Sequence, residues 1–266
     1  NQGLRGYRPK QAQRLADNRR KEKVAPRIAS ETWTWVEQLL REDWSPEQIS
    51  GWLASEQGRC ISHEWIYLYV YEDKRQGGDL HRHLRCQKAR RKRYGSNDRR
   101  GQIKDRVSID ERPEIVNERS RFGDWEVDTV IGRPGGPVLV TVAERKSRMS
   151  LIALAANKTA EAVTAALVAS LRPLSNRVYT LTYDNGKEFA HHKTVSAALN
   201  AEGFFAHPYH SWERGLNENT NGLIRQYLPK GTDFKSIADS DVQKIMHKLN
   251  NRPRKCLGFK TPHEAI

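Results

Sequence analysis

The sequence predicts an all-α helix-turn-helix module followed by an α/β domain with a mixed sheet and flanking helices. Three observations predict this. Apolar residues recur at helical spacing between residues 31 and 72. Beyond residue 119 the pattern changes to three successive strand-like segments, then a helix, a strand and further helices. Residues 73–118, between the two, are polar and rich in Lys and Arg, which predicts a basic flexible linker.

Taken in order, residues 1–30 lack apolar periodicity and read as a basic arm, partly helical around Lys10 to Lys23. Trp33, Val36, Leu39 and Leu40 then mark an amphipathic helix ending near Asp43. Ser45 is a helix N-cap, with Pro46 at the first helical position and Gln48 completing a capping box. Ile49, Trp52 and Leu53 give that helix its apolar face. A turn at Gly58 follows, and Ser62 caps a third helix carrying Trp65, Ile66, Leu68 and Tyr69. As a helix-turn-helix, residues 31–72 place the helix from His63 to about Tyr71 in the major groove, with His63 and Tyr67 as DNA contacts. As a plain three-helix bundle they make no such contact. The basic segments on either side favour the DNA-binding reading.

In residues 119–266, WEVDTVIG alternates as a strand, VLVTVAE follows a Gly-Arg-Pro-Gly-Gly-Pro turn as a second, and MSLIALA is a third. Thr159 to Leu171 is a helix stopped by Pro173. VYTLTYD is a fourth strand and FFAH a short fifth. Helices are expected from Glu218 to Leu228 and from about Asp239 to Leu249. No internal repeat is present.

A chain of 266 residues can bury one substantial core and carry a second small module. No apolar run approaches the ~18 residues of a membrane span, and no signal peptide is readable, so a soluble protein is expected. The chain opens on Asn1, not Met, which suggests that its natural start is missing. The net charge of +14 is local. Residues 1–30 carry nine Lys/Arg against two acids, and residues 80–106 eleven against two, leaving the remainder slightly acidic. Two basic segments beside near-neutral modules suit a phosphate backbone. Cys60, Cys86 and Cys256 are odd in number and far apart, so they form no disulfide framework and fit a reducing, cytoplasmic setting. Cys60 and His63 with His81, His83 and Cys86 offer enough zinc ligands for a site, but not at zinc-finger spacing.

Acids at strand ends point to chemistry, because an unpaired carboxylate beside a core is costly. Asp184 ends a strand before the Asn185-Gly186 turn pair, and Glu218 opens a helix 34 positions later. At 100° per residue Glu218 shares a helix face with Asn221, Gly222 and Arg225, opposite Leu223, Ile224, Tyr227 and Leu228. On the first strand Asp124, Glu126 and Asp128 share one face, and the residues alone do not separate them. Glu188 and Glu213 flank the later acids.

GDWEVDTVIG, VTVAERKSR, TYDNGKEF, WERGLNENTNGLIRQYLPKGTDF and LNNRPRKCLGFKTPHEA occur in that order. In these segments the chain resembles insertion-sequence transposases of the IS-thirty type, and SPEQISGWL and ISHEWIYLYVY resemble the helix-turn-helix that precedes their catalytic domain. The resemblance implies a ribonuclease-H-like fold and an Asp-Asp-Glu site of Asp128, Asp184 and Glu218. It places Asp where relatives often carry His at position 124. It implies two Mg²⁺ ions, with Mn²⁺ as substitute: Asp128 bridges both, and Asp184 and Glu218 each bind one. It further implies cleavage of double-stranded DNA at inverted-repeat ends, joining of the freed 3′-hydroxyl to target DNA, and a homo-oligomer, dimer or higher, associated with the nucleoid. A nuclease without joining activity and a non-enzymatic DNA-binding regulator are the alternatives. Candidate DNA contacts are Lys187, Arg214, Asn219, Asn221, Arg225, Lys230, Arg252 and Arg254, with Arg90, Arg91, Lys92 and Arg93 in the linker. Trp212 is a candidate for base stacking or a core role, and His207 and His210 are read as structural.

Overall fold

The computed structural model describes residues 9–23, 28–85, 103–208 and 210–266. The chain divides into two compact units, residues 1–83 and 84–266. The first contains α1 (Pro9–Lys23), α2 (Ser30–Arg41), α3 (Pro46–Glu56) and α4 (His63–Arg75). Val36 and Leu40 of α2, Ile49 and Leu53 of α3, and Ile66 and Val70 of α4 form its core. The boundaries follow local chemistry. Asp43, at φ 65°, turns the chain after α2. Ser45 then caps α3 reciprocally with Gln48, at 3.3 and 2.9 Å. Ser62 caps α4 through the backbone N–H of Trp65.

This unit extends past residue 72. α4 runs to Arg75, and a 3₁₀ turn at Leu80–His83 packs back on it with Leu80 buried. The Arg41–Asp79 pair (3.0 Å) and the His83–Asp43 bond (3.1 Å) fasten that turn. His83 is thus engaged by a carboxylate, His63 faces Glu64, Cys60 is exposed, and Cys86 lies outside the described residues.

The second unit is a five-stranded sheet of order β3-β2-β1-β4-β5, with β1 (Asp124–Ile131), β2 (Val138–Glu144), β3 (Ser150–Ala155), β4 (Thr180–Tyr183) and β5 (Glu202–Phe205). β1, β2 and β3 form an antiparallel meander; β4 joins β1, and β5 joins β4, in parallel. Trp125, Val127, Val140 and Leu181 pack on one face with α6 (Ala160–Leu171) and α7 (His192–Leu199). Val130, Leu139 and Ile152 pack on the other with α8 (Gly215–Tyr227) and α9 (Asp239–Asn250). This three-layer arrangement is the α/β, ribonuclease-H-like architecture expected, with β4 shorter and α8 starting three residues earlier than the sequence suggests.

Residues 103–118, read as linker, belong to this unit. Ile103 joins the core, Ser108 bridges Phe205, and α5 (Glu114–Glu118) buries Val116. A few anchoring side chains hold an otherwise polar stretch. Arg90, Arg91, Lys92 and Arg93 lie outside the described residues. No helix among the described residues is long and apolar enough to cross a membrane.

Removing the α3 cap by Ser45→Ala is expected to cost the first unit about 1 kcal/mol. Urea unfolding followed by tryptophan fluorescence reads this well, because Trp33, Trp35, Trp44, Trp52 and Trp65 all lie there.

Candidate active site

Strand alternation puts Asp124, Glu126 and Asp128 on one face of β1. Each carboxylate meets an arginine. Asp124, wholly buried, pairs with Arg121 at 2.9 Å and accepts from Thr180 Oγ1 at 2.8 Å. Its charge is therefore balanced locally. Glu126, also buried, pairs with Arg145, and its other oxygen accepts the Asn217 backbone N–H at 3.1 Å. Arg145 in turn donates to the Val116 carbonyl at 3.0 Å. Nearby, Arg112 is buried and donates to Thr182 Oγ1 at 2.9 Å. Burial, and then the charge of Arg145, pulls its pKa down to about 10.

Asp128 differs because it shares its arginine with another acid. β1 and β4 pair Asp124 with Thr180 and Glu126 with Thr182; the same register carried two residues on sets Asp128 against Asp184. The Arg214 guanidinium lies 3.7 Å from Asp128 Oδ2 and 3.5 Å from Asp184 Oδ2, and donates to the Val127 carbonyl at 3.2 Å. Two carboxylates from adjacent parallel strands thus converge on one cationic group. Asp128 Oδ1 accepts the Thr129 N–H at 2.8 Å, and Oδ2 accepts Asn221 Nδ2 at 2.9 Å. Burial holds its carboxyl above the usual carboxylate range; Arg214 opposes that shift and Asp184 adds to it.

Asp184 is oriented by its own turn. Its Oδ1 accepts the Gly186 N–H at 2.8 Å, while Asn185 donates to the Ala206 carbonyl at 2.6 Å. A Cβ at Gly186 would fall 2.5 Å from the Glu188 carboxylate and 2.8 Å from that of Asp184, so a side chain there would push both carboxylates aside. Glu188 is buried and engaged by Lys158 and Thr129, both at 2.9 Å.

Glu218 sits in the first turn of α8, exposed to solvent. It is not drawn into a metal-sized cluster with the aspartates. Among the described residues, the group of three ligand atoms within 4.8 Å of one another is His207, His210 and Glu213. There Glu213 Oε1 accepts from the Nδ1 atoms of His207 (2.8 Å) and His210 (3.2 Å), while His207 Nε2 bonds Asp110 at 2.9 Å. The hydrogen bond to Glu213, chiefly, holds the His207 pKa above the ordinary imidazole value. This clamp ties the loop carrying Arg214 to the residue 103–118 segment. The His-x-x-His-x-x-Glu spacing was its signal in the sequence.

The oxygen-only pair of Asp128 and Asp184, already converging on one positive group, fits a hard divalent cation. Glu218 lies on α8, in the helix layer over that face of the sheet, and does not join the two aspartates in a ligand group.

The candidate DNA contacts divide by environment. Lys187 and Lys230 are exposed, and exposed Asn219 accepts from Arg85 at 3.2 Å. Asn221 is turned inward between Asp128 and Thr141. Arg225 donates to the carbonyls of Ile131 (2.6 Å), Leu228 and Pro229. Arg252 is buried, with Gln226 and the Tyr227 hydroxyl as partners, which takes it out of the set of surface contacts. Arg254 donates to the Leu249 carbonyl at 2.7 Å. On α4, His63 and Tyr67 are exposed, but the outward face is mainly Trp65, Leu68 and Tyr71. The Trp212 side chain lies outside the described residues.

No protein-family model matches the chain. Among curated proteins, it is 46% identical over 262 residues to the transposase for insertion sequence element IS4351 of Bacteroides fragilis, covering 98% of this chain and 80% of the relative. The chain belongs to the IS30 family of insertion-sequence transposases. The transposase for insertion sequence element IS1086 of Cupriavidus metallidurans is 39% identical over 264 residues, covering 96% of this chain and 77% of the relative. Transposase InsI for element IS30A of Escherichia coli is 38% identical over 245 residues, 87% of this chain and 63% of the relative. Among solved structures, the HTLV-2 integrase catalytic core domain in complex with magnesium has a TM-score of 0.41 and 18% identity over 54% of this chain and 94% of that one. A simian T-cell lymphotropic virus intasome has a TM-score of 0.45 and 16% identity over 81% of this chain and 73% of that one.

For this IS30-family transposase, Arg145→Met leaves the Glu126 carboxylate buried without its counter-charge. The expected loss is about 3–5 kcal/mol, read by urea unfolding.

Proposed function

We propose that the second unit cuts and joins DNA at insertion-sequence ends, with Asp128, Asp184 and Glu218 holding divalent cations at the scissile phosphodiester. The observation that carries this reading is the convergence of Asp128 and Asp184 on a single positive group beneath the helix that bears Glu218. Asp128, Asp184 and Glu218 would supply the carboxylate oxygens that hold these ions. Mg²⁺, or Mn²⁺ in its place, would supply activation of the attacking oxygen and neutralisation of charge at the leaving 3′-oxygen.

The chain's own residues prepare that site. Asn221 and the Thr129 N–H hold Asp128 in one orientation, and the Asn185-Gly186 turn holds Asp184. Lys187, Asn219 and Lys230 remain exposed for the DNA backbone. Water first displaces a 3′-hydroxyl at the insertion-sequence end; that hydroxyl then attacks a target phosphodiester. The second step exchanges one phosphate ester for another, so no nucleotide cofactor is required. The first unit supplies sequence recognition through α4, with His63 and Tyr67 at the groove, and the protein works on DNA as a homo-oligomer.

Asp128→Asn, Asp184→Asn and Glu218→Gln are each expected to slow Mg²⁺-dependent cleavage of inverted-repeat DNA by more than about 100-fold, since even residues that only support a metal ligand are worth 10–100-fold. Undiminished cleavage by any one removes that residue from the site. Joined products in a strand-transfer assay separate a transposase from a nuclease.

Metal binding needs the ionised form of Asp128, whose pKa is raised by burial. The thermal stabilisation given by Mn²⁺ is therefore expected to vanish as pH falls through a midpoint above the ordinary ~3.9 of an aspartate. The metal-free fold has the opposite dependence. It favours the neutral acid, so that contribution is present at low pH and is lost as pH rises through the same midpoint.

A further inference from the structure

A cleft of about 220 Å³ opens beside the first turn of α8, away from the acids. Leu216, Thr220 and Leu223 line it from the helix, and at 100° per residue they lie on a different flank from Glu218 and Asn221. The other walls come from three separate stretches: Arg119 after α5, Arg148 in the β2–β3 turn, and Arg254 with Cys256 near the C-terminus. No carboxylate lines this cleft.

We propose that Arg119, Arg148 and Arg254 bind a phosphate group in this cleft. Four observations support it. First, among the described residues none of the three arginines forms an ion pair, whereas the Arg121, Arg145 and Arg214 side chains all do. Second, the Nε–H groups of Arg148 and Arg254 are buried without a hydrogen-bond partner. Arg254 uses an amino group on the Leu249 carbonyl, yet its Nε–H remains unmatched. Such donors are costly to leave unmet; Arg112 and Arg252, outside the cleft, share this state, so an anion in the cleft would be met by terminal amino groups.

Third, Arg119 and Arg148 both occupy the left-handed region, at φ 56° and 64°. That conformation is unfavourable for a residue with a Cβ and easy for glycine. The fold keeps two guanidinium groups where glycine is the least strained choice, and both line one cleft. Fourth, like charges crowd one another. Burial lowers the pKa of Arg119, with Arg148 and Arg145 adding to the shift; burial and then Arg252 bring Arg254 down to about 10. A phosphate, with oxygens on several sides, answers guanidinium groups that line one cleft from three stretches of chain better than a planar carboxylate does. The first turn of α8, which has no side-chain cap, adds its positive end.

The phosphate comes from a DNA strand or from free anion. The strand as source rests on the function proposed above; the cleft's chemistry does not. Cys256, exposed at the rim, provides the readout. The full chain with Cys60→Ser and Cys86→Ser has Cys256 as its one thiol. Its reaction with a disulfide reagent is timed without metal, in inorganic phosphate, in duplex inverted-repeat DNA, and in chloride of matched ionic strength.

A phosphate source at about ten times its Kd is expected to slow labelling about tenfold, by mass action. Protection by DNA alone identifies the strand as source, and protection by inorganic phosphate identifies free anion. Arg119→Gly with Arg148→Gly should abolish protection while the thermal midpoint stays level or rises, because glycine relaxes both positions. Protection that survives the double substitution, or none from either source, overturns the proposal. Asp128→Asn keeps the protection, so loss of cleavage and loss of phosphate binding are separately readable.

Discussion

Three acids on one face of a buried strand cannot stand there uncompensated, and much of the second unit is arranged around that constraint. Asp124 is answered by Arg121, which stays partly exposed, and Glu126 by Arg145, which is buried with it. Both carboxylates are buried, so either one without its arginine would be far more costly than the pair. Asp128 has no dedicated partner. It shares Arg214 with Asp184, and that guanidinium arrives from the loop ahead of α8. The innermost two acids are therefore structural, and the outermost one is the acid with exchangeable compensation.

Helix α8 joins these layers. Its Asn217 N–H reaches Glu126, Asn221 reaches Asp128, and Leu223 and Ile224 pack into the core. The buried Glu126–Arg145 pair thus helps fix the start of the helix that carries Glu218. The same helix offers Leu216 and Thr220 to the arginine-lined cleft on another flank. A single helix consequently carries Glu218 and borders a cationic cleft, so their relative placement is set by helix geometry and not by a loop.

What the sequence made legible was local. The α3 capping box is written within four consecutive residues, alternation marks β1, and apolar runs after a turn mark β2 and β3. The start of α8 was missed because no capping side chain announces Gly215. α7 escaped because HHKTVSAAL is short and weakly patterned. Residues 103–118 looked like linker because isolated Ile103 and Val116, with a buried Arg112, anchor an otherwise polar stretch. At the proposed site, Asp184 and Glu218 stand out in the sequence through their turn and helix positions. Asp128 could not be separated from Asp124 and Glu126 by residue pattern, because their arginine partners are settled by tertiary packing. The sharing of Arg214 between two strands has no local signature at all.

The parallel pairing of β1 with β4 has a consequence for how this chain tolerates length changes. Parallel strands need a long return path, here β2, β3 and α6, and its loops can lengthen without altering which residues of β1 and β4 lie opposite. Strand interiors have no such freedom. Deleting one residue from β4 would turn Asp184 to the face occupied by Trp125 and Val127, burying its carboxylate in the core and leaving Asp128 alone with Arg214. Insertions and deletions should therefore accumulate in the turns of the return path and be absent from two short strands, a pattern imposed by pairing geometry before any chemistry is considered.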